Sequence, residues 1–395
     1  MLKIKLLFLT ILSFTNCQGQ EKKIENNKIN LKVNYNITNR NEPTTKEILQ
    51  LWEDFLSKDS LSNPYKQDIL DFWIKSNQVP KPNNFLSLLR DIKKNTERST
   101  ETVVSLVPIG KDTFSLKTIF SYSLVNENKI QLEFDNILTV YVVKTNKGFK
   151  FISSPQWYLN QWEVQEVGKI HYCFPKSHEF NKNNGLKLDS FNKKISDLFN
   201  LQSLSFTYFI GKNVMDAYQI MGFDFVPEAH TPNQLGAICN TYNKCIFVGN
   251  GSEYYPHEVV HLYTKEFWGK DGFYYHSWFD EGIATLFGGS RGYPLEWHLE
   301  KLKLFLEQNP QEILEDISKL TTVPNGEYMT EYNYAIGGLI CKRIYESRGM
   351  EGLFDLLKSG TTDDDFYKAI EKHFGVKKAD FGTFIRNELK KIYKK

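Results

Sequence analysis

Two histidines four residues apart, His257 and His261, with Glu258 beside the first, constrain this chain more than any other feature of its sequence. A helix places positions i and i+4 on one face about one turn apart. Both imidazoles can therefore reach one metal ion if the segment His257-Glu258-Val259-Val260-His261 is helical. Pro256 precedes it, and a proline is tolerated in the first turn of a helix. Val259, Val260 and Leu262 give that helix an apolar face for a core. Glu258 is too close in sequence for a comfortable third ligand, but it can act as general base on a water that a metal activates.

A bare five-residue pattern arises by chance, so the companion segment matters. Trp278-Phe279-Asp280-Glu281-Gly282-Ile283-Ala284-Thr285-Leu286-Phe287 reads as a second apolar helix and places Glu281 20 residues after His261. His257, His261 and Glu281 make a three-ligand set, which leaves the fourth position of a tetrahedral zinc ion to solvent. Structural zinc sites are instead closed and usually rich in Cys. The expected cofactor is one Zn2+ per chain. Each ligating imidazole needs an acceptor for its other N–H, and Asp280 and Thr285 are candidates. Alternatively, Asp280 caps the second helix and Thr285 only packs. The histidines at 171, 178, 230, 276, 298 and 373 lack ligand spacing and read as surface or core residues.

With those residues in place, the chain resembles the gluzincin clan of zinc metallopeptidases, in particular the peptidase MA-like domains related to the M1 aminopeptidases. The likeness spans residues 165–395, with its specific motifs at 257–261 and 278–285. It implies peptide-bond hydrolysis with Glu258 as general base. It also implies a tyrosine, in a Tyr-x-x-Gly setting on a later helix, that stabilises the oxyanion. Tyr334-Ala335-Ile336-Gly337 fits that setting. The other reading of Tyr334 is a core aromatic, since Tyr328 and Tyr332 stand nearby. M1 aminopeptidases carry a Gly-x-Met-Glu-Asn stretch whose Glu binds the substrate amine. Here Gly236-Ala237-Ile238-Cys239-Asn240 places a Cys at that position, so aminopeptidase specificity is not implied. An edge strand in this region could pair with an extended peptide. Two other classes stay open: an exported binding protein on a zincin scaffold with little turnover, and a zinc hydrolase of non-peptide amides or esters.

The expected fold class is α+β. Residues 43–160 read as a small non-catalytic α+β domain of helices followed by an antiparallel meander. Thr44 and Glu47 form a capping-box signature ahead of Ile48, Leu51, Trp52, Phe55 and Leu56. Further helices are expected near 65–76 and 85–95. Strands are expected near 102–109, 113–123, 130–143 and 149–153, with a turn at Asn146-Lys147-Gly148. Residues 161–395 read as a zincin-like domain with a small sheet, including strands near 203–210 and 245–248. Its C-terminal part is mainly helical, near 295–308, 310–319, 331–347, 363–373 and 379–393.

Residues 1–17 carry Lys3 and Lys5, an apolar run from Leu6 to Leu12, and Cys17. They read as a signal peptide of bacterial lipoprotein type, with Cys17 the lipidated residue or with ordinary signal-peptidase cleavage instead. The run is short of the ~20 residues that span a bilayer. Residues 18–42 read as a flexible tether. The expected location is therefore exported and membrane-anchored through the lipid, facing the periplasm or cell exterior. Cys239 and Cys245 flank a turn-like stretch and are either joined as a disulfide or buried as two thiols. With 49 Lys and Arg against 47 Asp and Glu, no charge excess points to nucleic acid, and the expected partner is a peptide or protein substrate.

Overall fold

The structure is a computed structural model and describes residues 31–37, 39–58, 67–75, 100–126, 129–227, 236–268, 275–323 and 330–392. The segment read as a signal peptide, Cys17, most of the segment read as a tether and the helix expected near 85–95 lie outside the described residues.

The protein is mixed α+β: an N-terminal sheet, a smaller second sheet, and a mainly helical C-terminal part. The first sheet runs in the order β1 (Lys32–Val33), β2 (Thr100–Gly110), β3 (Thr113–Asn126), β4 (Lys129–Thr145), β5 (Gly148–Ile152). Its pairings from β2 to β5 are antiparallel, and Thr145 pairs Gly148 across the expected turn. Helix α1 (Pro43–Leu56) lays Ile48, Trp52, Phe55 and Leu56 into the core beneath this sheet, where Trp52 and Phe55 each sit 5.5 Å from the Phe151 ring.

The Thr44–Glu47 capping box is not used: Glu42 is the N-cap, without a side-chain bond, and Pro43 takes the first helical position. Its fixed φ and missing N–H suit that place. The helix expected over 65–76 shrinks to α2 (Gln67–Leu70) among the described residues. Phe72 and Ile74 instead bond Phe151 at the sheet edge, each at 2.8 Å.

After α3 (Ser154–Gln161) comes the second sheet, ordered β10-β11-β8-β7-β6: Ala237–Asn240, Cys245–Val248, Phe206–Ile210, Ile170–Phe174 and Glu163–Val167. β7, β8 and β11 are parallel, whereas β10 and β6 are antiparallel edges. Strand periodicity of two divides its side chains between two cores. Ile170, Tyr172, Phe206, Tyr208, Ile246 and Val248 enter one, with α4 (Lys182–Phe199) and the C-terminal helices. Cys173, Phe209, Cys245 and Phe247 enter the other, with α5 (Val214–Met221) and the first sheet. β9 (Phe223–Phe225) also pairs with β4, so strand pairing and packing both run across residue 160.

This division decides between the two readings of Cys239 and Cys245 in favour of separate thiols. Cys239 opposes Ile246 while Cys245 opposes Asn240, and the two thiols serve opposite faces of the sheet. Both are free.

The remaining helices among the described residues are α6 (His257–Trp268), α7 (Ser277–Gly288), α8 (Leu295–Gln308), α9 (Gly338–Leu357, broken at Gly349), α10 (Asp363–Phe374) and α11 (Phe381–Ile392). Over 310–319, expected as helix, the structure has only a short 3-10 turn at Ile317–Lys319. The Arg386 guanidinium takes up the carbonyls of Leu306 at 3.0 Å and Glu312 at 2.9 Å, replacing a helical continuation past Pro310.

Candidate metal centre

Helix α6 is buried on all sides from His257 to Lys265, the pattern of a central rather than a surface helix. Tyr263 ties it to its neighbours, accepting from the Leu204 amide at 2.9 Å and donating to Asn192 Oδ1 at 2.6 Å. The loop before it is fixed by Glu253, 2% exposed, whose carboxylate accepts from His178 Nε2 at 2.7 Å and from the Asn181 amide at 2.8 Å.

Helix α7 lies against α6 and presents Glu281. Two glycine contacts set its position. A Cβ on Gly288 would stand 2.7 Å from the His257 Cα, so the end of α7 meets the start of α6 backbone to backbone. A Cβ on Gly282 would stand 2.4 Å from the Gly337 carbonyl carbon, bringing the segment that carries Tyr334 equally close. That segment, Asn333–Gly337, is a π-helical turn leading into α9, a form often found at functional sites.

The three predicted ligands converge. His257 Nε2 is 3.1 Å from Glu281 Oε2 and 3.2 Å from His261 Nε2, and His261 Nε2 is 3.7 Å from Glu281 Oε2. Ligand atoms ~2.0–2.1 Å from a tetrahedral zinc lie about 3.3–3.4 Å apart, so the triangle is close to that required. The far ring nitrogens are anchored: His257 Nδ1 donates to the Gly289 carbonyl at 2.5 Å and His261 Nδ1 to Asp280 Oδ2 at 2.9 Å. Asp280 Oδ1 in turn accepts from Thr264 at 2.7 Å. Both Nε2 lone pairs are thereby aimed at one point, as imidazole ligands require.

Charge favours a cation there. Burial opposes ionisation of His261, yet Asp280 and Glu281 outweigh it and push the imidazole up to about 10. Burial likewise works against the Glu281 carboxylate, which the two imidazoles hold below its ordinary range. The donor set, its spacing and its charge all fit a divalent metal. Glu258, 7% exposed, sits beside the triangle. Burial pushes its carboxyl up, with the imidazoles opposing and Glu281 and Asp280 adding to the rise.

The sequence left two uses for Asp280, and the structure assigns it to His261. The cap of α7 is His276, which accepts from the Trp278 amide at 3.3 Å. Thr285 does not serve as a ring acceptor: it is fully buried and its hydroxyl has no hydrogen-bond partner among the described residues. Tyr334 stands at the centre, its ring 5.7 Å from the His257 ring in a T-shaped contact. Burial, with Glu281 and Glu331, holds its phenol well above the ordinary range, so it remains a donor. Cys239 reaches the same region from the edge strand, and burial, with the Glu258 charge, keeps its thiol protonated.

Sequence reasoning missed the turn after α7. Gly289 and Gly292 have φ of 70° and 81°, which glycine adopts freely, and Arg291 has φ 52°. This turn supplies the Gly289 carbonyl to His257, the Ser290 carbonyl to His298 Nε2 at 3.0 Å, and the Arg291 guanidinium over the Tyr334 ring at 5.9 Å. A cavity of about 360 Å³ opens beside it, lined by His257, Tyr254, Tyr255, Tyr293, Leu286 and Leu295 among others.

His298 gives a stability signature. It is fully buried, accepts from the Thr330 hydroxyl at 2.6 Å, and is held down to about 4 chiefly by burial. The folded chain keeps it neutral below pH 6.5, where the unfolded chain takes a proton. Stability is therefore unaffected above 6.5 and falls as pH drops toward about 4, by up to about 3 kcal/mol. Urea unfolding of chelator-treated protein at pH 7 and 4.5 should show His298→Gln losing less stability on acidification than the parent chain. Equal losses would refute the assignment.

A scan of protein-family models finds no match to the chain, and a search of curated proteins finds none either.

Proposed function

We propose that this chain is a zinc-dependent peptidase, exported and tethered through a lipid on Cys17. One observation carries the reading: His257 Nε2, His261 Nε2 and Glu281 Oε2 converge within 3.1–3.7 Å while the far side of each imidazole is fixed by a protein acceptor. His257, His261 and Glu281 would hold the ion. When bound, zinc supplies Lewis acidity, polarising a carbonyl and making water acidic near neutral pH.

The rest falls to the chain itself. Glu258, buried beside the ligands with its carboxyl pushed upward, is the general base that takes a proton from the attacking water and delivers it to the departing amine. Tyr334, neutral at physiological pH, donates to the oxyanion. The edge strand β10 packs against α6, and an extended peptide pairing along it would pass the ligands. The cavity lined by Tyr254, Tyr293 and Leu295 offers room for a neighbouring side chain.

The test is direct. Protein purified without chelators should carry about one zinc per chain and cut members of a diverse peptide library, with cleavage stopped by a chelator and restored by zinc. Protein that takes up no zinc would refute the proposal. Zinc-loaded protein that spares every peptide but splits simple esters would move the reading to a non-peptide hydrolase.

A further inference from the structure

The turn that follows α7 is closed by two backbone bonds between Ser290 and Tyr293, at 2.8 and 2.9 Å. Three of its residues have positive φ, and Arg291 is the one among them with a side chain. A non-glycine residue in that region is strained, and such strain persists where surrounding contacts over-determine it. Here they do. The Arg291 amide donates to the Tyr255 hydroxyl at 3.1 Å, its guanidinium pairs with Glu331, and the same guanidinium lies 5.9 Å from the centre of the Tyr334 ring. Tyr334 is thus held between Arg291 on one side and His257, 5.7 Å away, on another, while His298 stands 5.9 Å from the same ring. Glycine would satisfy the backbone at 291 better but could not make the side-chain contacts.

We propose that Arg291 is the positioning residue for Tyr334: it accepts an unfavourable backbone conformation in order to hold the phenol ring at the metal centre. The proposal rests on the peptidase reading above. It differs from a purely structural role because Arg291→Gly relieves the backbone while removing the guanidinium, so stability and rate should part company.

The experiment compares the parent chain with Arg291→Gly, Tyr334→Phe and the double variant. The readouts are zinc content, thermal midpoint, kcat and KM on one library-selected peptide, and Kd for a phosphinic analogue of that peptide. Arg291→Gly is expected to keep zinc and melt no earlier than the parent. It should lower kcat about tenfold or more, with KM within about twofold, and weaken the phosphinic analogue by a similar factor. In the Tyr334→Phe background the same change should cost less than about twofold, because residues acting as a unit are non-additive. Arg291→Lys should recover part of the rate. Full additivity, an unchanged kcat, or loss of zinc or fold in both the Gly and Lys variants would overturn the proposal. A parent chain that binds no zinc and cuts nothing sinks the peptidase reading itself, whereas additivity in an active zinc enzyme sinks only this step.

Discussion

Glu258→Gln is expected to keep zinc at the parent level and to cut peptide hydrolysis by about 10²–10⁴-fold, the range attributed to a positioned general acid–base group. Gln has nearly the same shape, so helix α6, buried along its first nine residues, should not repack. The ligands are untouched, since His257, His261 and Glu281 reach the centre without Glu258. What disappears is the ability to accept a proton. Metal analysis and single-substrate kinetics on the same preparation decide the matter. A Gln variant within a factor of a few of the parent would mean that Glu258 is not the base.

Gly282→Ala tests the scaffold, and here two effects oppose each other. Alanine is the better helix former by about 1 kcal/mol, so local propensity predicts a gain inside α7. Against that, the new methyl would stand 2.4 Å from the Gly337 carbonyl carbon and 2.9 Å from Cys341 Sγ, in a contact made largely of backbone that cannot rotate away. Overpacking of this kind costs about 1–3 kcal/mol, sometimes more, and should win. Because Glu281 is the adjacent residue, the shift that relieves the clash also moves a ligand, so zinc affinity should fall together with stability. Denaturant unfolding of the chelated chain and a zinc titration measure the two separately. A variant more stable than the parent would show that the two helices are not in the contact described.

The His257, His261 and Glu281 trio was legible because helical periodicity translates spacing into geometry, and an acidic residue on a second apolar helix narrows the choice of third ligand. Asp280 could be singled out but not assigned, since a carboxylate early in a helix can cap it or reach across to another. Only the distance to His261 Nδ1 separates these uses. Thr285, four residues after Glu281, shares its helical face, yet burial without a partner is not written in that spacing. The acceptor for His257 was out of reach: a backbone carbonyl 32 residues away has no residue type to betray it. Gly282 did leave a trace, a costly residue inside a helix, which could have been read as a mark of close approach. The short strands β7 and β9 escaped because each leans on a partner distant in sequence, β8 and β4, rather than on local pattern.

Phe209 and Phe247 stack with ring centres 5.0 Å apart on the side of the second sheet turned away from the metal ligands, and the first sheet and its helices close over them. A chain shortened to begin at 161 would remove the first sheet's share of their cover, leaving α5 alone with part of it, and strip β9 of its strand neighbour. The described part of residues 31–160 therefore backs the sheet whose other face carries the His257, His261 and Glu281 cluster, and dissection at 161 is expected to yield an aggregating fragment.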